Sequence, residues 1–202
     1  MRERIEDRQT TKEDGAGTVG RLINRIPFII SCSFLYLGLV CPQLASAMSL
    51  QMISQGGIVV SNRLALGAYK GLVGLTWAGF GIAAIGDMTK TIVKGWKGPD
   101  HLVTGGIFTL FRHPNYTGEV IGWTSNFLAS TVAIYLSGYG IKAWKRWVVP
   151  MLLGSLGLLG IIVVLTAATT NLERRQKEKY GGTDAYENWN AWAGFQLPAK
   201  KS

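Results

Sequence analysis

Long apolar blocks alternate with short charged ones along this chain. Residues 26–47, from Ile26 to Ala47, are apolar and uncharged, long enough as a helix to cross the roughly 30 Å hydrocarbon core of a bilayer. Pro42 is expected to end or kink that helix. Ala45-Ser46-Ala47 has the form of a signal-peptidase site. The region before it is too long and too acidic (Glu3, Glu6, Asp7, Glu13, Asp14) for an ordinary signal peptide, so a retained span is the reading. Residues 48–62 are broken by Gly56-Gly57 and are expected at the membrane interface. Leu64 to Gly86 reads as a second span, with Lys70 snorkelling towards the head groups. Its Gly67, Gly71 and Gly74 form a small-residue stripe, the pattern of close helix packing. Residues 87–112, rich in Gly, Lys and Pro, read as a loop. Thr117 to Leu136 is a third span, and Trp147 to Thr170, which carries no charge, a fourth. The expected fold is therefore all-α, a multi-pass transmembrane helical bundle of about four spans with a polar, amphipathic C-terminal tail over 171–202. It divides into a polar N-terminal arm (1–25), the first two transmembrane helices (26–86) and a membrane domain (87–202).

Composition agrees with this pattern. The 202 residues make room for one domain, 48% of them are apolar, and only 16% are charged, against roughly 25% in soluble domains. Mean hydropathy is positive. The net charge of +9 does not argue for nucleic acid. The basic residues flank apolar blocks, as they do beside anionic lipid heads. With four spans, the arm, the 87–117 loop and the tail share one side and hold 16 of the 21 basic residues. The positive-inside rule places them on a cytosol-like side: cytosol, matrix or stroma. Cys32 and Cys41 point to opposite faces of one helix, so no disulfide is expected between them. No cysteine/histidine cluster has zinc-ligand spacing.

Candidate chemistry concentrates around Arg112-His113-Pro114-Asn115-Tyr116-Thr117-Gly118-Glu119. Pro114 suits a first helical turn, where its missing N–H costs nothing. A helix start offers free N–H groups and partial positive charge, and Arg112 adds a full charge, which suits phosphate or carboxylate. Asn115, Glu119, Gly122 and Asn126 share one face of that helix. A carboxylate near the head of a span is expensive to bury and is retained for a ligand, or pairs with Arg112 or a loop lysine. Asp87, Lys90, Lys94 and Lys97 precede the motif; such spacing suits phosphates, or simply positive-inside charge. His101 and His113 are the only histidines. After the fourth span come Glu173-Arg174-Arg175, Lys179-Tyr180-Gly181, Tyr186 and Trp189, on the same side by the charge count. They make either a second part of one site or an interfacial amphipathic helix.

At these residues the chain resembles a known superfamily. GGIFTLFRHPNYTGEVIGW (Gly105 to Trp123) is similar to the signature of the steroid 5-alpha-reductase C-terminal domain, through Asn115, Gly118-Glu119, Trp123 and Gly105–Thr109. Sterol C14-reductases share the His-Pro-Asn-Tyr core. Isoprenylcysteine carboxyl methyltransferases share Arg-His-Pro and a tail like Glu173…Tyr180-Gly181…Tyr186…Trp189. The resemblance covers residues 85–198. In its reductase form it implies NADPH, with Asn115 and Glu119 on the nicotinamide amide and Asp87, Lys94 and Arg112 on ribose and phosphates. Hydride would then pass to an enone-like double bond of a lipidic substrate. In its methyltransferase form it implies S-adenosylmethionine, with Arg112 and His113 facing the carboxylate. Tyr116, Glu173 and Tyr186 complete the cofactor-binding candidates, and no catalytic acid is identified. The string Gly118-Glu119…Trp123 favours the reductase; the shortness of the N-terminal half favours the methyltransferase. It also admits a third reading, a structural subunit of a larger membrane assembly that keeps this fold.

Overall fold

The structure, a computed structural model, describes residues 33, 35–44, 46–48, 50, 51, 54, 55, 62–136 and 140–192. The N-terminal arm, the start of the first expected span and the last ten residues of the tail lie outside these. Among the described residues the architecture is all-α. Helix α1 runs Leu35–Met48, α2 Arg63–Lys97, α3 Ile107–Leu110, α4 Pro114–Leu136, α5 Gly140–Tyr180 and α6 Asp184–Trp192.

Local chemistry explains the boundaries. Asn62 caps α2, its side-chain oxygen accepting from the Ala65 amide at 3.0 Å. Lys94 and Lys97 sit in the last turn, where the helix dipole favours cations. Gly98 ends it at φ 95°, a conformation that costs glycine little. Helix α4 begins at Pro114, as its sequence predicts. Pro150 lies inside α5, tolerated as prolines in membrane helices commonly are.

Two helical stretches, Arg63–Lys97 and Trp147–Tyr180, are long and apolar enough to cross a membrane, and their most apolar windows are only 17% and 28% buried. The core helix of a soluble protein would be mostly buried. Here Leu64, Trp77 and Leu156 point outward, at 85%, 76% and 65% exposure. A surface of that kind fits a membrane-associated protein, its apolar side chains facing lipid.

Helices α2 and α4 run antiparallel with backbones almost in contact. A Cβ on Gly79 would lie 2.5 Å from the Gly122 nitrogen, and one on Gly118 would lie 2.5 Å from the Ala83 nitrogen. Gly86 meets Pro114 and Asn115 in the same way, which seats the start of α4 against α2. Helix α1 packs on α5 through Gly38 against Gly157 and Pro42 against Gly154. Leu39, Ile161 and Leu165 form a buried cluster there, with Tyr116 and Trp123 of α4 packed against it.

Three expectations change. A Cβ added at Gly67, Gly71 or Gly74 would meet nothing within 4 Å among the described residues; close approach falls instead on Gly79 and Gly86, one to three turns further on. Residues 87–97 are not loop but continue α2. The run Met88–Lys97 is polar yet contains only one glycine, and the helix stops only at Gly98-Pro99. Pro42 does not end the first helix; α1 continues through it to Met48, with Pro42 buried against Gly154.

Candidate functional site

The site is built where the end of α2, the segment before α4 and the charged extension of α5 converge. Helix α5 carries no charge over 147–170, then continues as Asn171-Leu172-Glu173-Arg174-Arg175 without a break. The loop after α2 turns through Gly106, at φ 63°, into the short helix α3. Phe111 leaves α3 in an extended conformation, so Arg112 and His113 are held in the elbow before Pro114.

Both elbow side chains point inward and are almost wholly buried, Arg112 at 2% and His113 at 1% exposure. They meet one carboxylate. Arg112 donates from Nε to Glu173 Oε1 and from Nη2 to Oε2 at 2.7 Å, the bidentate arrangement that is strongest for this pair. His113 Nε2 lies 2.5 Å from Glu173 Oε1. An ionised carboxylate only accepts, so the imidazole carries a proton on Nε2 to make this bond. Burial pushes the Glu173 carboxyl up. The hydrogen bonds from His113 and Arg112, with the arginine charge, outweigh it and hold the group at about 2.

Helix α6 closes the arginine from the other side. The Trp189 ring lies 4.6 Å beneath the Arg112 guanidinium, a cation–π contact. Its Nε1–H donates to the Phe108 carbonyl at 3.0 Å, tying α6 to α3. Tyr186 is buried beside Arg112. Replacing Trp189 with phenylalanine keeps a ring under the guanidinium but orphans the buried Phe108 carbonyl. A loss of about 1–3 kcal/mol is expected in detergent-based unfolding titrations; an unchanged midpoint would show that the indole N–H contributes nothing.

In front of this group opens a cleft of about 370 Å³, within the range of small-ligand sites. Lys90 and Lys94 line it from α2, His101, Leu102 and Val103 from the loop, and His113 and Asn115 from the elbow. Helix α5 supplies Leu172, Arg175, Gln176, Lys179 and Tyr180. Burial and the like charges of Lys90 and Lys179 push the Lys94 ammonium down, against a smaller opposing pull from Asp100; Lys94 donates to the Pro99 carbonyl at 2.9 Å. Lys179 pairs with Asp100, and the Tyr180 hydroxyl donates to the Asp100 carbonyl at 2.8 Å, so the end of α5 is pinned to the loop. Gln176 Oε1 is buried and has no hydrogen-bond partner among the described residues.

The sequence-predicted residues thus fall into three groups. Lys94, His113 and Asn115 line the cleft. Arg112, Glu173 and Tyr186 form the paired wall behind it. Asp87, Tyr116 and Glu119 lie outside its lining: Asp87 and Glu119 are close enough for their charges to interact, and Tyr116 packs on the Leu39 cluster. Gln176 and Asp100 were not singled out by sequence. The signal for Gln176 is present: Leu172, Arg175, Gln176, Lys179 and Tyr180 recur at helical spacing, one stripe once 171–180 is read as helix.

Fold and site together define an all-helical, membrane-associated protein with a polar cleft at one end of its bundle. Residues 34–192 match the family described as protein of unknown function (DUF1295), and the chain belongs to it. No curated protein and no solved structure matches the chain.

Proposed function

We propose that this protein is a membrane-embedded, NADPH-dependent reductase acting on an activated double bond of a lipidic, steroid-like or enone substrate. The observation that carries the reading is the charge of the cleft, where Lys90, Lys94, Arg175 and Lys179 converge beside Asn115. NADPH is a polyanion through its phosphates. S-adenosylmethionine carries a sulfonium and a single carboxylate, and a wall of like charge repels the sulfonium. Lys90, Lys94, Arg175 and Lys179 crowd like charges around one cleft, a repulsion that an anion relieves, so the donor set fits phosphates. Gln176 Oε1 offers an acceptor to a hydroxyl or amide N–H of the same molecule.

In this reading the four cations hold the phosphates and Asn115 the nicotinamide amide. NADPH supplies hydride for the double bond. Arg112, His113 and Glu173 satisfy one another and act as positioning residues, fixing the elbow on which Asn115 stands. A four-span topology places the cleft on the cytosol-like side.

The test is a parallel titration of the purified full chain with NADPH and S-adenosylmethionine. Saturable NADPH binding is expected, weakened as ionic strength rises. Arg175→Gln is expected to cost about 1.5–3 kcal/mol, the scale of a hydrogen bond to a charged group. Binding of S-adenosylmethionine alone would transfer the assignment to a methyltransferase. Binding of neither, with co-purification in a large assembly, would make the chain a structural subunit.

A further inference from the structure

A second cavity, of about 430 Å³, lies between α1, α2 and α4, within the apolar part of the bundle. Thr76, on its wall, is twelve residues from Leu64. That is about 18 Å along the helix, roughly the middle of the apolar stretch Leu64–Gly86. The lining is nonetheless rich in hydrogen-bonding groups: Gln43 and Ser46 from α1, Tyr69 and Thr76 from α2, Asn126 and Ser130 from α4.

Thr76 and Ser130 donate to carbonyls of their own helices, Leu72 and Asn126, each at 2.9 Å. The side-chain amides of Gln43 and Asn126 form no hydrogen bond among the described residues. Two amides facing one cavity without partners are costly at this depth, where hydrocarbon offers neither donor nor acceptor. Polar side chains inside membrane segments are rare and mark ligand pathways. No charged residue among those described lines the cavity, so an ionic head group finds no counter-charge there. Aromatic and small apolar groups, Trp77, Phe80 and Ala129, complete the wall and suit a hydrocarbon body.

We propose that this cavity binds a neutral lipid whose polar group is a carbonyl or hydroxyl, received by the Gln43 and Asn126 amides. The site is separate from the cationic cleft. Asn126 lies eleven residues beyond Asn115 on α4, about 16 Å deeper. The inference therefore stands whether or not the cleft takes NADPH.

The test uses the full chain in nanodiscs, without nucleotide. Three photoactivatable, clickable probes of equal length are compared: a long-chain ketone, the corresponding alcohol and the plain hydrocarbon. The ketone or the alcohol is expected to label peptides containing Gln43 or Asn126 at least about tenfold more than the hydrocarbon does. Asn126→Leu and Gln43→Leu keep similar volume and are expected to abolish most of that excess, with helicity and elution volume unchanged. If either variant fails to fold, competition on the native protein decides: unlabelled ketone suppresses labelling and unlabelled alkane does not. Equal labelling by all three probes, or an excess that persists in both folded leucine variants, overturns the proposal and leaves a cavity filled by any acyl chain.

Discussion

Replacing Glu173 with alanine is expected to destabilise the protein by about 3–5 kcal/mol, because it strands a buried charge. Arg112 is 2% exposed and His113 1% exposed, and both place their polar atoms on this one carboxylate. Removing it leaves a guanidinium in a nearly dry wall, against the Trp189 ring and beside Tyr186. Glu173→Gln retains an acceptor oxygen and is expected to lose less. The pH dependence follows from the same group. Its carboxyl is lowered from 4.5 to about 2, so its contribution is fully present above the unfolded value. It is lost as pH falls from about 4.5 through about 2, and amounts to the order of 3 kcal/mol. Unfolding titrations in detergent at pH 7 and pH 3 should show the gap between native protein and Glu173→Gln shrinking at the lower pH. A gap that stays constant would mean the carboxylate is not what holds the elbow.

The second large effect is a contrast between glycines on the same helices. Gly118→Val is expected to cost about 3 kcal/mol or more, at or above the usual range for overpacking. Its Cβ alone would meet the Gly79 carbonyl and lie 2.5 Å from the Ala83 nitrogen. Both are backbone atoms, which move only if α2 and α4 part. The Cβ of Gly74→Ala would meet nothing within 4 Å among the described residues, and the change is expected to raise stability by about 0.5–1 kcal/mol, through helix propensity and a less flexible unfolded chain. Midpoints of the two variants against the native protein decide the matter; equal and small effects would place the α2·α4 contact elsewhere.

Much of the local structure was legible in the chain. The helix start at Pro114, the long apolar stretches of α2 and α5 and the outward-facing hydrophobics follow from periodicity and capping, properties of residues within a few turns of one another. The end of α2 is not legible in the sequence, because Lys90, Lys94 and Lys97 look like loop charge. Helix propensity tolerates lysine, and the chain turns only at Gly98-Pro99.

Membership of an all-helical membrane class and the helix start at Pro114, directly after Arg112-His113, are thus determined by the sequence itself. Tertiary structure alone decided which glycines touch, that Arg112 and His113 share Glu173 across 61 and 60 residues, and that Asn115 faces the cleft while Glu119 stands outside its lining. The reason is geometric. Spacing along a helix assigns residues to a face, but the partner of that face depends on how helices far apart in sequence approach and cross.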